Sequence, residues 1–162
     1  MQQRITPNLW FDTEAEEAAE FYTSIFKRSR IVAVTHYTEA GPRDAGMVMT
    51  VEFELDGQRF VGINGGPQFK FDEAVSFEIH CETQDEVDYY WERLSEGGEE
   101  GQCGWLKDRY GLSWQVVPSG MAELFADSDP ERARRAMEAM LGMQKLDIAE
   151  MRRAAEGASA RK

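Results

Sequence analysis

The chain has 162 residues and a net charge of −12, with 30 acidic against 18 basic side chains and a pI near 4.6. That balance argues against a nucleic-acid partner, which needs a basic face, and against adsorption to an anionic membrane surface. A hydrophobic fraction of 42% suffices for one compact core, and no apolar run approaches the ~20 residues of a membrane span. Residues 1–4 lack the basic-then-apolar pattern of a signal peptide, and Cys81 and Cys103 are too few for a disulfide framework or a four-thiolate zinc site. A cytoplasmic protein without a cofactor is the expectation.

Residues 5–11 read as a strand. The acidic turn at 13–17 then opens a helix whose apolar face is Ala18, Phe21, Tyr22 and Ile25, at i, i+3, i+4, i+7. Residues 31–37 are β-branched and extended, and 39–46 are a loop. Residues 48–55 alternate, with Val51, Phe53 and Leu55 on one face and Thr50, Glu52 and Glu54 on the other. Asp56-Gly57 is a hairpin signal, and 58–64 is the return strand.

The pattern then repeats. Residues 74–81 are a strand, and Thr83 caps a helix with apolar face Val87, Tyr90, Trp91 and Leu94, sixty-nine positions on from the first set. Gly97-Gly98 ends that helix, two short strands cover 99–102 and 104–107, Asp108 to Gly111 form a turn, and 112–117 run to Pro118. Gly57 answers Gly111, Phe60 answers Trp114, and Val61 answers Gln115. The fold class is therefore α+β: two βαβββ modules, 4–66 and 73–118, forming a cleft-shaped mixed sheet. Helices at 119–125, 132–143 and 146–155 make a C-terminal extension of the same domain, the second with Ala133, Met137, Met140 and Leu141 on its apolar side. Residues 157–162 are expected to be a disordered tail.

Period two sorts the strand faces. On 74–81, the residues Val75, Phe77, Ile79 and Cys81 should meet a helix, and Ser76, Glu78 and His80 should face the cleft. On 112–117, Ser113, Gln115 and Val117 take the cleft side; on 5–11, Thr6, Asn8 and Trp10 do. The candidate ligand-binding residues are Asn8, Trp10, Glu78, His80, Trp105 and Gln115: an acid, a base, two amides and two aromatic plates. Glu78 and His80 are also candidate catalytic residues. Standing i, i+2 on one face, they form a surface ion pair worth ~0–1 kcal/mol if exposed, or a general acid and base if buried.

Four segments carry a resemblance: Ile5-Thr-Pro-Asn-Leu-Trp-Phe-Asp12, Glu16-Glu-Ala-Ala-Glu-Phe-Tyr22, Cys103-Gly-Trp-Leu-Lys-Asp108 with Gly111-Leu-Ser-Trp-Gln-Val-Val-Pro118, and Ala139-Met-Leu-Gly-Met-Gln-Lys-Leu-Asp-Ile148. Across nearly its whole length the chain resembles the vicinal oxygen chelate (glyoxalase/bleomycin-resistance) superfamily, in its PhnB-like branch, often labelled a 3-demethylubiquinone methyltransferase domain. The resemblance implies paired βαβββ modules and a homodimer. In its metal-dependent members each half supplies two ligands of His, Glu or Gln type, from its first and last strands. Those positions fall near Thr6 to Asn8, at Val61, near Ser76 with Glu78 or His80 as alternatives, and at Gln115. Only Gln115 is of ligand type without a shift, so no metal site is expected. The methyltransferase label is disfavoured because no glycine-rich cofactor turn follows any strand. The expected function is binding of a small molecule in the cleft. The alternatives are an isomerase, lyase or dioxygenase relative using Glu78 and His80, and a structural dimer built on the C-terminal helices.

Overall fold

The computed structural model describes residues 2–157; of the expected disordered tail, all but Gly157 lies outside the described residues. The chain divides into two compact units, with the division between Phe71 and Asp72. In the first, β1 (Asn8–Phe11), α1 (Ala15–Ile25), β2 (Arg30–His36), β3 (Val48–Leu55) and β4 (Gln58–Asn64) follow in order. The sheet order is β1-β4-β3-β2, with β1 parallel to β4 and the other pairs antiparallel. Alternation decides the faces. Leu9, Phe11, Val51, Phe53, Leu55 and Phe60 are buried on the side that meets Ala15, Ala18, Ala19, Tyr22 and Ile25 of α1. Tyr22, Phe53 and Phe60 stack in series, at centroid distances of 6.1 and 5.6 Å.

The start of α1 is held from the far end of the module. Glu14, at the N-cap, makes no side-chain capping bond. Instead Asn64, 1% exposed at the end of β4, accepts from the Ala15 N–H at 2.9 Å and donates to the Val48 carbonyl at 3.0 Å. Its own carbonyl accepts from the Tyr37 hydroxyl at 2.6 Å. One amide therefore satisfies an orphan helix donor and ties helix, strand and loop together.

The second unit repeats the plan with β5 (Ser76–Cys81), α2 (Gln84–Ser95), β6 (Glu99–Glu100), β7 (Trp105–Lys107) and β8 (Ser113–Pro118) in the order β5-β8-β7-β6. Here the helix caps itself, since the Thr83 hydroxyl accepts from the Glu86 N–H at 3.2 Å. Val87, Trp91 and Leu94 are buried, along with Cys81, Leu106, Trp114 and Val116 of the sheet. Val75 lies outside β5 and is 64% exposed, so the apolar face of that strand begins only at Phe77. Each module thus carries its own four-stranded mixed sheet with a helix on one face.

Three helices follow: α3 (Met121–Phe125), α4 (Pro130–Leu141) and α5 (Ile148–Ala155). Asp129 caps α4 through the Glu131 N–H at 3.0 Å, with Pro130 in its first turn, and Asp147 caps α5 through the Glu150 N–H at 3.1 Å. The link between α4 and α5 docks on the second module. The Met143 carbonyl accepts from the Cys103 N–H and the Gln144 carbonyl from the Gly104 N–H, both at 2.8 Å. Gln84 donates to the Leu146 carbonyl at 2.9 Å. Gly104 is required at this joint: its φ is +83°, and a Cβ there would lie 2.8 Å from Leu146 Cδ1.

The packed side of α4 agrees with the expected one at Ala133 and Met140, which are half-buried, and departs from it elsewhere. Ala136 is the buried residue, while Met137 and Leu141 are 37% and 59% exposed. The helix approaches α5 through that small side chain, and Arg135 beside it donates to the carbonyls of Ala154 and Ala155 at 3.1 Å. Those bonds satisfy carbonyls at the end of α5.

Asn64→Ala leaves two buried groups of the first module without partners. We expect a loss of about 2–4 kcal/mol in urea unfolding, whereas Glu14→Ala should change stability by less than about 0.5 kcal/mol.

Candidate functional site

The helix-free face of the second sheet is set by a hairpin that Asp108 organises. Its carboxylate is 2% exposed. One oxygen accepts from the Tyr110 and Leu112 N–H groups at 2.8 and 3.1 Å, and the other from the Trp114 indole at 3.0 Å. The Asp108 N–H donates to the Leu112 carbonyl at 2.9 Å and its carbonyl accepts from the Gly111 N–H at 2.9 Å, closing the turn. The register that results pairs Trp105 with Gln115 and Lys107 with Ser113, while parallel β5 sets Glu78 beside Gln115 and Ser76 beside Ser113. The helix-free face therefore bears one row of Glu78, Gln115 and Trp105, and a second of Ser76, Ser113, Lys107 and Glu99. Gln115 is oriented by its bond to the Ser76 hydroxyl at 2.9 Å.

The second row opens into a hollow of about 220 Å³, walled by Glu73, Glu99, Glu100, Trp105, Lys107 and Ser113. Lys107 bridges to Glu73, and that contact holds the Glu73 carboxyl below its usual range and the Lys107 ammonium above its own. Glu100 accepts from the Trp91 indole at 2.9 Å. Ser113 is completely buried, and its Oγ has no hydrogen-bond partner among the described residues. Such a hydroxyl is unfavourable unless something else satisfies it. Three of the four tryptophans spend their indole N–H on Gly66, Glu100 and Asp108. The half-buried Trp105 makes no such bond among the described residues.

Of the residues expected at the site, Trp105 lines this hollow, and Glu78 and Gln115 share its row. His80 Nδ1 lies 3.6 Å from Glu78 Oε1, with the two side chains 81% and 44% exposed. A pair so open to water is worth ~0–1 kcal/mol and gains no field from burial. Asn8 and Trp10 stand on the helix-free side of the first module. Asn8 is exposed and donates to the Thr6 carbonyl at 2.9 Å. Trp10 is fixed by packing: its indole donates to the Gly66 carbonyl at 2.9 Å, and Phe69 meets it edge-on at 5.0 Å. Gly65 lies against the ring so closely that a Cβ would come within 2.2 Å of it. Sequence reasoning placed Ser113 on the right face without singling it out, and passed over Glu73, Glu99 and Lys107 as lining. Lys107 was recoverable, because period two from Trp105 puts it on the same side. Glu73 lies before β5, where no periodicity reaches it.

The strand register fixes the ligand positions that the superfamily implies. Asn8 stands opposite Val61, and Glu78 opposite Gln115. Val61 offers no donor atom, and among the described residues no three His, Cys, Asp or Glu side chains gather to hold a metal ion. The four residues do not fit the metal set. The connections from strand to helix, Asp12-Thr13-Glu14 and Glu82-Thr83, contain no glycine. A nucleoside cofactor of the doubly wound kind therefore has no backbone cradle here. Nor does Cys81 present an activated thiolate. Burial, with a smaller contribution from Glu86, pushes the Cys81 thiol up to about 12, and the Cys103 amide is tied to Met143.

Two modules of βαβββ order, each with a helix on one side of a mixed sheet, define the glyoxalase fold of the vicinal oxygen chelate class. The sequence profile of the 3-demethylubiquinone-9 3-methyltransferase family matches residues 3–117. The chain belongs to that family, the PhnB-like branch of the class. It is similar to a PhnB protein from Bacillus cereus, itself assigned only provisionally as a 3-demethylubiquinone-9 3-methyltransferase, with 38% identity and a TM-score of 0.66 over 72% of this chain and 100% of that one. The fold is also seen in protein PA1353 from Pseudomonas aeruginosa, at 18% identity, TM-score 0.60, and 72% and 98% coverage. It recurs in the fosfomycin resistance protein FosX from Listeria monocytogenes, at 13% identity, TM-score 0.51, and 76% and 98% coverage. Among curated proteins no match is found. Among the described residues no helix is long and apolar enough to cross a membrane.

The thiols give a direct check on burial. A thiol raised above its unfolded value of 9.0 binds its proton more tightly in the folded state. Its contribution to stability is then full below about pH 9 and is lost as pH rises toward about 12. We expect a thiol reagent at pH 8 to label Cys103 in the folded protein and Cys81 only after unfolding. A Cys81→Ser variant should show a shallower alkaline decline of stability.

Proposed function

We propose that this protein binds a small organic molecule on the helix-free face of its second sheet, with Trp105 as the wall and Ser113 as the buried polar contact. Further contacts fall to Gln115 and Glu78. The observation that carries the reading is that Ser113, whose buried Oγ has no hydrogen-bond partner among the described residues, lines the hollow beside Trp105. A fully buried hydroxyl next to an open indole is the usual lining of a ligand site: an apolar plate with a few convergent polar groups. Family membership supports the same reading, because this fold serves many proteins through sites laid on its sheet faces. An acid–base role for Glu78 and His80 gains nothing from their exposure, and methyl transfer finds no cofactor loop. We carry two further expectations into the proposal, that the protein is a homodimer and that it works in the cytoplasm. Native mass spectrometry on freshly purified protein addresses the first and reports any co-purifying ligand.

The test is a panel of neutral, anionic and cationic aromatic fragments followed by saturation-transfer NMR. We expect several to bind in the millimolar range or better, and Trp105→Ala to weaken them roughly tenfold, the loss of one aromatic contact in a site of this size. His80→Ala should leave binding unchanged. Fragment binding that survives Trp105→Ala intact, or a panel in which nothing binds, contradicts the reading.

A further inference from the structure

We infer that the ligand class of this hollow is a small organic cation, an ammonium carried on an apolar or aromatic body, bound between Trp105 and the carboxylates of Glu73 and Glu99 with Ser113 as hydrogen-bond acceptor. This rests on the proposed binding face and adds the chemistry of what it takes. Three carboxylates, Glu73, Glu99 and Glu100, line the hollow against one ammonium, Lys107. Glu73 is paired with Lys107 and Glu100 accepts from the neutral Trp91 indole, so two of the three carboxylate charges are left to compensate added positive charge. A neutral or anionic guest would add no such compensation, and an anion would have to enter against the excess of acid.

The protein already stabilises an ammonium at this place. Lys107 reaches Glu73 from the hollow wall, and its protonated form is favoured first by the hydrogen bond and charge of Glu73 and further by Glu99 and Asp72. A guest ammonium would find the same field. Trp105 supplies the complementary surface. An indole face within reach of a cation attracts it through the ring quadrupole, and Trp is the best of the aromatic side chains at this. The buried Ser113 Oγ is the independent sign of a ligand, because its lone pairs have no donor among the described residues and an ammonium N–H would provide one. Size sets the last limit. A hollow of about 220 Å³ has room for a single ring with a short arm.

Lys107 and the guest compete for Glu73, and the competition gives the inference a signed test. Benzylammonium, benzyl alcohol and benzoate are titrated against the full chain by calorimetry at low and at physiological salt. We expect benzylammonium to bind roughly five- to tenfold more tightly than benzyl alcohol, benzoate to bind more weakly than either, and the preference to shrink as salt rises. Glu99→Gln should bring the cation and the alcohol close together. Lys107→Met should tighten benzylammonium several-fold, since it frees Glu73. Ser113→Ala should weaken both guests while the melting temperature holds or rises, because the variant removes a partnerless buried hydroxyl. Melting curves of all three variants establish that they are folded. Equal affinity for the cation and the alcohol, or tighter binding of benzoate, overturns the cation assignment and leaves the binding face standing. If none of the three probes binds, the binding face fails together with it.

Discussion

The carboxylate of Asp108 is the constraint on which the candidate site depends. It sits buried in a tight turn, satisfies two backbone N–H groups and holds the Trp114 indole beneath the sheet. Charge-assisted bonds of this kind are each stronger than a neutral hydrogen bond, and a buried acceptor with several donors fixes a single geometry. The register of β7 against β8 is set within this hairpin, and register alone decides that Trp105, Lys107, Ser113 and Gln115 share one face. A slip of β7 by one residue would turn Trp105 and Lys107 away from Ser113 and Gln115 and bring Leu106 into water.

The two modules share an order of elements but use it differently. In the first, the helix start is tied to the last strand by Asn64; in the second, Thr83 caps the helix and the polar anchor has moved to the hairpin turn. The tryptophans diverge in the same way. Trp10 is closed in by Gly65, Gly66 and Phe69, its N–H spent on a carbonyl, and serves as packing. Trp105 is half-buried and lines a hollow, and its indole N–H makes no hydrogen bond among the described residues. The paired first and last strands differ too: Asn8 stands beside Val61, which has no side-chain donor, and Glu78 beside Gln115.

Much of this was legible in the sequence. The helical faces of α1 and α2 lie at i, i+3, i+4, i+7, and the bounds expected for β3 and β4 agree with the structure because clean alternation flanks a hairpin turn. The faces of β1 and β8 followed from period two. What periodicity could not show were bonds between residues far apart in sequence. Asn64 read as the end of a strand, yet it caps a helix forty-nine positions earlier. Glu73 precedes its strand and reaches Lys107 across the sheet. The apolar stripe of α4 was expected to run through Ala133, Met137, Met140 and Leu141; Ala133 and Met140 are half-buried, Met137 and Leu141 are exposed, and the buried residue is Ala136. His80 and Glu78 were rightly neighbours, and their exposure could be learned only from the fold.

The central claim is that Trp105 and Ser113 form the floor and wall of a ligand site on the second module. Its most direct test is the set of four tryptophan indole N–H signals in a 15N-labelled sample as benzylammonium is added. The account predicts that the Trp105 indole signal and the Ser113 amide move together along one saturating curve, while the indoles of Trp10 and Trp114, already bonded to Gly66 and Asp108, hold their positions. A Trp105 signal that stays fixed while another tryptophan shifts would contradict it.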